Sequence, residues 1–127
     1  MKDGWEMTHS VLVVDDVADL RLLLKHLLNG SAAFSVIGEA ENGSAAIELA
    51  GRLRPDLILL DLAMPSMDGL AAMPLLKEAA PNAKVVVFTG FSKADVTAHQ
   101  LDLADAYVEK GTHPEELLRV LDEVVAS

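Results

Sequence analysis

The sequence predicts an α/β protein built on one parallel sheet with helices on both faces. Three observations carry that expectation. Strand-like runs alternate with helical patterns five times along the chain, as a parallel sheet with crossover helices requires. One run, Leu57-Ile58-Leu59-Leu60, is apolar at every position, which suits a central strand covered on both faces. No internal repeat, low-complexity tract or internal linker interrupts the pattern, so the 127 residues read as a single domain, long enough for a substantial core.

Val11-Leu12-Val13-Val14 is the first strand, and it ends on Asp15-Asp16. Leu20, Leu23, Leu24, Leu27 and Leu28 follow at helical spacing, and Asn29-Gly30 closes that helix. Phe34 to Gly38 reads as the second strand, Asn42-Gly43 as a turn, and Ser44 to Arg54 as an alanine-rich helix stopped by Pro55. The third strand, Leu57 to Leu60, runs into Asp61, and Pro65 and Gly69 bend the chain before a helix reaching about Ala80. Pro74 is expected either near the first turns of that helix or at a kink. Val85 to Phe88 is the fourth strand, ended by Thr89-Gly90, and Ser92 to about Gln100 is a weaker, more polar helix. Ala106-Tyr107-Val108 is a short fifth strand, ended by Glu109-Lys110-Gly111. Thr112 with Glu115 fits a capping box and Pro114 a first helical turn. Leu117, Leu118, Leu121, Val124 and Val125 give the last helix an apolar face. Right-handed crossovers leave few topologies for such a chain.

Composition narrows the function. A net charge of −10 argues against a nucleic-acid surface or an anionic membrane surface, both of which want clustered Lys and Arg. There is no cysteine, hence no disulfide framework and no thiolate metal site. The first nine residues lack the apolar core of a signal peptide, and no run approaches a membrane span. A soluble, cytoplasmic protein is the expectation. The four histidines are scattered and read as solvated surface, the five methionines as core filler.

In an open parallel sheet, ligands bind beyond the carboxyl ends of the strands. Those ends carry Asp15 and Asp16 (first strand), Asp61 (third), Thr89 (fourth) and Lys110 (fifth). Three nearby carboxylates repel one another, and a divalent cation relieves the repulsion. An all-oxygen donor set with few protein ligands suits Mg²⁺. Lys110 adds a point charge for a phosphoryl oxygen and Thr89 a hydrogen bond. That collection suits phosphoryl transfer, in which positioning and charge neutralisation carry most of the catalysis, and a carboxylate nucleophile would give an acyl phosphate.

Asp15-Asp16, Asp61 with Met64-Pro65-Ser66-Met67-Asp68-Gly69, Thr89-Gly90, and Tyr107 three residues before Lys110 together resemble the receiver domain of two-component response regulators. The resemblance runs from Ser10 to about Val125, so residues 1–9 are expected to be an N-terminal tail and 10–127 the receiver domain. It implies a flavodoxin-like (βα)5 sheet with strand order 2-1-3-4-5, which is also how the chemotaxis regulators of this family are built. It further implies that Asp61 accepts a phosphoryl group from a sensor histidine kinase or a phosphotransfer protein. Asp16, Asp61 and the backbone carbonyl of Ala63 would then ligate Mg²⁺, with Asp15 acting mainly through water. Lys110 and Thr89 would bind phosphoryl oxygens. Thr89, drawn toward them, would vacate space for Tyr107 to change rotamer and turn inward, which reshapes the surface of the fourth helix, fifth strand and fifth helix. The chain would be no enzyme beyond its own phosphorylation and dephosphorylation. Its output would pass to a downstream effector protein or a C-terminal output domain, with a phosphorylation-dependent homodimer compatible with the same pattern.

The chain departs from the family pattern on the expected output face. The stretch from Thr89 to Lys110 is one residue short, and Leu103 and Ala106 stand where glycines are common. Ala63 and Phe91, two residues past Asp61 and Thr89 respectively, cannot orient an attacking water; for Phe91 the readings are a shield over the acyl phosphate, a core residue or a partner-binding anchor. Three other functions compete. An Asp-nucleophile, Mg²⁺-dependent phosphatase would want a second acid where Ala63 stands. A phosphorylation-independent interaction domain would not need all five rim residues. A flavin-binding flavodoxin would need Ser, Thr and Gly after the first strand, where this chain has Asp15-Asp16-Val17-Ala18-Asp19.

Overall fold

The computed structural model describes residues 8–64, 69–90 and 102–127. Five strands, β1 (His9–Val14), β2 (Phe34–Ala40), β3 (Leu57–Leu60), β4 (Lys84–Thr89) and β5 (Ala106–Glu109), form one sheet in the order β2-β1-β3-β4-β5. Every neighbouring pair is parallel. Among the described residues four helices accompany the sheet: α1 (Ala18–Gly30), α2 (Gly43–Leu53), α3 (Gly69–Ala79) and α4 (Pro114–Ala126). This is the flavodoxin-like order that the sequence predicts. Trp5, the loop residues Pro65 to Asp68, Phe91 and the helix expected over 92–100 lie outside the described residues.

The continuous apolar character of β3 has the anticipated cause. Its alternate residues feed two separate cores. Ile58 and Leu60 join Leu12, Val14, Val85 and Val87 beneath α2 and α3, while Leu57 and Leu59 join Val11, Val13, Val86 and Phe88 beneath α1 and α4. No side chain of β3 can face water, so none is polar. The edge strand β2 is different. Its register with β1 shifts so that Val11 pairs with Val36 and Leu12 with Gly38, and the skipped residue, Ile37, is 40% exposed. A bulge of this kind bends an edge strand.

Helix boundaries follow local chemistry, with two differences from expectation. Asn42 is not merely a turn residue: its side chain accepts from the Ala45 amide at 2.9 Å and caps α2. At the other end of α2, Arg54 adopts a left-handed φ of 48° immediately before Pro55. The expected Thr112–Glu115 capping box does not form. Pro114 occupies the first helical turn of α4 and makes His113 the cap, its Nδ1 accepting from the Glu115 amide at 3.2 Å. Thr112 instead donates to the Glu109 carbonyl at 2.7 Å, closing a turn in which Gly111 takes a φ of 100°. Pro74 lies inside α3, where it removes the amide that would bond the Leu70 carbonyl.

The apolar stripe of α1 is wider than its seat on the sheet. Leu24 and Leu28 are buried, whereas Leu23, expected inward, is 63% exposed. It borders a groove of about 280 Å³ between α1 and α4, lined also by Leu20, Leu27, Phe88, Pro114 and Leu117.

Asp105 holds the start of β5. Its Oδ2 accepts from the Val85 amide at 2.7 Å and from Lys77 Nζ at 3.0 Å, linking β5 to β4 and α3. Burial alone would raise its pKa. The Val85 amide, the Lys77 ammonium and, more weakly, Lys84 outweigh burial and hold it below the ordinary carboxylate value. A depressed folded-state pKa stabilises above the unfolded value of about 4 and loses that contribution as pH falls through the folded value. The gap in melting temperature between the wild type and Asp105→Asn should therefore be constant near neutrality and shrink below about pH 4. Thermal melts from neutral to acidic pH read this directly, and a gap that persists in acid would contradict it.

Candidate functional site

The backbone ladder carries the acidic residues to one rim. Past the end of β1, the Asp15 amide donates to the Ala40 carbonyl of β2 at 3.0 Å. Past the end of β3, the Asp61 amide donates to the Val14 carbonyl at 3.0 Å, and past β5 the Lys110 amide donates to the Thr89 carbonyl at 2.8 Å. Parallel pairing thus sets Asp15, Asp61, Thr89 and Lys110 side by side at the carboxyl edge.

Three of these side chains are withdrawn from water: Asp15 is 1% exposed, Asp61 3% and Thr89 0%. Each oxygen of Asp15 has a partner. Oδ1 accepts from the Val17 amide at 2.9 Å, opening α1, and Oδ2 faces Lys110 Nζ at 2.8 Å. Asp61 Oδ1 accepts from the Ala63 amide at 3.3 Å, and Oδ2 accepts from Lys110 Nζ at 3.2 Å. Lys110 immediately follows the edge strand β5 and must cross the line of β4 to reach Asp61, two strand spacings or about 10 Å. Its long stem makes that reach, and Thr89 on the intervening strand is small. Asp16 differs from its neighbours: it is exposed, and its carboxylate has no hydrogen bond or ion pair among the described residues.

The electrostatics follow from this packing. Burial alone would lower the Lys110 pKa, but the hydrogen bond to Asp15 and the charges of Asp61 and Asp15 outweigh burial and raise it above the ordinary lysine value. Lys110 therefore stays cationic across the physiological range. Asp15, Asp16 and Asp61 each offer an oxygen within 4.8 Å of the others. Such a donor set, oxygen only and anionic, fits Mg²⁺, which keeps several waters and prefers few protein ligands. The cavity beside it, about 350 Å³ and lined by Asp16, Asp61, Ala63, Thr89, Gly90 and Lys110, has room for those waters and a phosphoryl group.

Thr89 and Tyr107 belong to the same face of the sheet. Val87, two residues before Thr89, and partly buried Tyr107 belong to one core cluster, and Val87 pairs directly with Tyr107. All the rim residues that the sequence singles out are thus near one another, and Tyr107 lies two register positions behind Thr89. Two contributors were not anticipated. Gly69 was read as a bend, yet its place depends on close approach: a Cβ there would meet the Asp61 carbonyl oxygen at 2.3 Å and Leu62 Cα at 2.8 Å. Its amide also donates to the Leu62 carbonyl at 3.0 Å. Arg21 of α1 donates through Nη1 to the Asp15 carbonyl at 2.6 Å. Only the place of Gly69 after the acidic loop could have hinted at the first, and no spacing signal marks the second.

A parallel sheet with this strand order, an acidic cluster suited to Mg²⁺ and a lysine against the buried acids define a class of phosphorylated signalling domain. A family model described as the response regulator receiver domain matches residues 11–122, and the chain belongs to that family. It is 40% identical over 124 residues to the nitrate/nitrite response regulator protein NarL of Escherichia coli, covering 92% of this chain and 55% of that protein. It therefore spans about half the length of that relative. The chemotaxis protein CheY of Thermotoga maritima is 32% identical over 119 residues, covering 93% of this chain and 98% of that protein. Among solved structures, a DNA-binding response regulator of the LuxR family from Staphylococcus aureus superposes with a TM-score of 0.83 at 27% identity, covering 92% of this chain and 98% of that one. The chain is thus a two-component receiver domain, a signalling module, whose acidic cluster fits a phosphorylation site with Mg²⁺.

Two substitutions test the construction of the site. Gly69→Ala should cost about 1–3 kcal/mol, because the added methyl meets backbone atoms that cannot rotate away. Urea unfolding measures this, and a neutral result would mean the helix shifts freely. Lys110→Met leaves Asp15 and Asp61 facing each other without a cation, and in EDTA should cost on the order of 2 kcal/mol. Millimolar Mg²⁺ should restore more stability to this variant than it adds to the wild type, since the ion no longer competes with Nζ. Equal Mg²⁺ stabilisation of the two proteins would contradict that competition.

Proposed function

We propose that Asp61 is the phosphoacceptor and that the domain takes its phosphoryl group from a phosphohistidine on a sensor histidine kinase or phosphotransfer protein. The observation that carries this reading is the seat of Asp61: a buried carboxylate at the end of the central strand, 3.2 Å from a lysine ammonium and within a metal-sized acidic cluster. An Asp61 carboxylate oxygen attacks phosphorus, the phosphorus–nitrogen bond breaks, and its electron pair returns to the imidazole of the donor. Bound Mg²⁺ would supply charge neutralisation to the transferring oxygens. Asp16, Asp61 and the Ala63 backbone carbonyl would hold it directly. Asp15, whose two oxygens already have partners, would act through water.

Lys110 turns its ammonium from the carboxylates to a phosphoryl oxygen, and the Thr89 hydroxyl donates to another. Because Tyr107 shares the Thr89 face, movement of Thr89 opens room for the ring, and β5 and the helices beside it present a new surface. Ala63 brings no side-chain acid or base to the acceptor, which favours a stable acyl phosphate over turnover of a substrate. The domain acts in the cytoplasm and catalyses only its own phosphorylation and dephosphorylation. It passes the change to a separate effector or to a C-terminal output domain, and does not itself bind nucleic acid or a membrane. A DNA-binding output accords with the LuxR-family neighbour, and phosphorylation-dependent homodimerisation is one form the switch can take.

Incubation with acetyl phosphate and Mg²⁺ tests the acceptor. Intact mass should show one phosphoryl group on the wild type, none on Asp61→Asn, and none on the wild type in EDTA. Equal labelling of the wild type and Asp61→Asn would refute the assignment.

A further inference from the structure

We infer that Arg21 is a positioning residue for metal binding: it holds the Asp15–Asp16 peptide so that the exposed Asp16 carboxylate faces the cluster. The inference rests on the proposed Mg²⁺ site and concerns a residue one helical turn away from it.

Asp16 is the only acid of the three without a partner for its carboxylate among the described residues. One of its oxygens nevertheless lies within 4.8 Å of oxygens of Asp15 and Asp61, so its reach to the cluster depends on where the backbone places its Cα rather than on a side-chain partner. That backbone is gripped from one side by Arg21. The Arg21 side chain is 16% exposed, Nη1 donates to the Asp15 carbonyl at 2.6 Å, and Nε donates to Glu39 Oε1 at 3.3 Å. The Asp15 carbonyl and the Asp16 amide belong to one planar unit, so fixing the oxygen restricts the rotation that aims the Asp16 Cα–Cβ bond. Glu39 stands on β2 and also lies 4.0 Å from Lys25. The clamp thereby joins β2, α1 and the acidic turn through a planar fork that lysine cannot reproduce.

Charge and positioning make opposite predictions. Arg21 is a cation close to a site for a cation. As a charge alone it would repel Mg²⁺, and its removal would tighten binding. As a clamp, its removal frees Asp16 and weakens binding despite the relief of repulsion. The opposite signs make the role measurable apart from stability.

The experiment is a MgCl₂ titration of the full chain followed by amide chemical shifts in nuclear magnetic resonance, with a thermal melt of each protein in EDTA. Arg21→Met should weaken Mg²⁺ binding by about tenfold, the lower end of what is lost when a group orienting a metal ligand is removed. Arg21→Lys, which keeps the charge, should weaken it in the same direction, and Glu39→Gln, which loosens the guanidinium, should do so to a smaller degree. In an Asp16→Asn background, Arg21→Met should have no further effect. Unchanged or tighter binding in Arg21→Met overturns the inference even where its melting temperature falls, because that pattern belongs to a structural or purely electrostatic arginine. If Arg21→Met does not fold, Arg21→Lys and Glu39→Gln decide: weakened binding supports the clamp, and wild-type binding in both overturns it. Absence of Mg²⁺-dependent shifts in the wild type would sink the proposed metal site and this inference together, whereas wild-type binding with an unaffected Arg21→Met sinks only the inference.

Discussion

Two ionised carboxylates cannot be buried beside one another without a cation to hold them, and the site is arranged around that constraint. At the 4.8 Å limit separating the acidic oxygens, gross repulsion at an effective dielectric of 20 is about 3 kcal/mol per pair. Lys110 Nζ, at 2.8 Å from Asp15 and 3.2 Å from Asp61, offsets it. The sheet order makes this contact possible. Asp15 and Asp61 follow neighbouring strands, and the strand between Asp61 and Lys110 ends on a residue small enough to be crossed. A phosphoryl group and Mg²⁺ would therefore enter a site whose charges are present beforehand and are redistributed during the reaction.

What could be read in the sequence was what depends on short spacing. The continuous apolar run of β3 betrays a strand feeding cores on both faces. The rim residues are legible because each ends a strand or follows one by one or two positions, and a parallel sheet brings all such positions to one edge. The helix cap of α4 was misread for an equally local reason: Pro114 and the side chain of His113 competed with Thr112, and the proline fixed where the helix starts. The exposure of Leu23 was not legible, because periodicity reports which face of a helix is apolar and not how much of that face the sheet can cover.

Other contributors to the site could not have been found by spacing at all. The Arg21–Asp15 bond joins a side chain to a main-chain oxygen, and main-chain oxygens carry no sequence signature. Glu39 reaches Arg21 from a strand 18 residues away. The need for glycine at position 69 comes from the Asp61 carbonyl, which only the folded chain brings within 2.3 Å of a would-be Cβ. In each case the chemistry of the acidic rim is visible in the sequence, while the groups that aim it act through the backbone.

Thr89 shows how the chemical end of the domain can be joined to its surface. It is wholly buried and limited in size from one side by the path of Lys110. It occupies the same sheet face as Tyr107, whose strand partner Val87 is two residues before it. A larger side chain would obstruct the lysine, and an apolar one would bring no hydroxyl to a phosphoryl oxygen. In the proposed switch, the volume that Thr89 vacates on moving to the phosphoryl group is the volume available to the Tyr107 ring. Close packing makes that exchange two-state, since the space cannot be shared. One small β-branched residue would then convert a change of charge at the rim into a change of shape on β5.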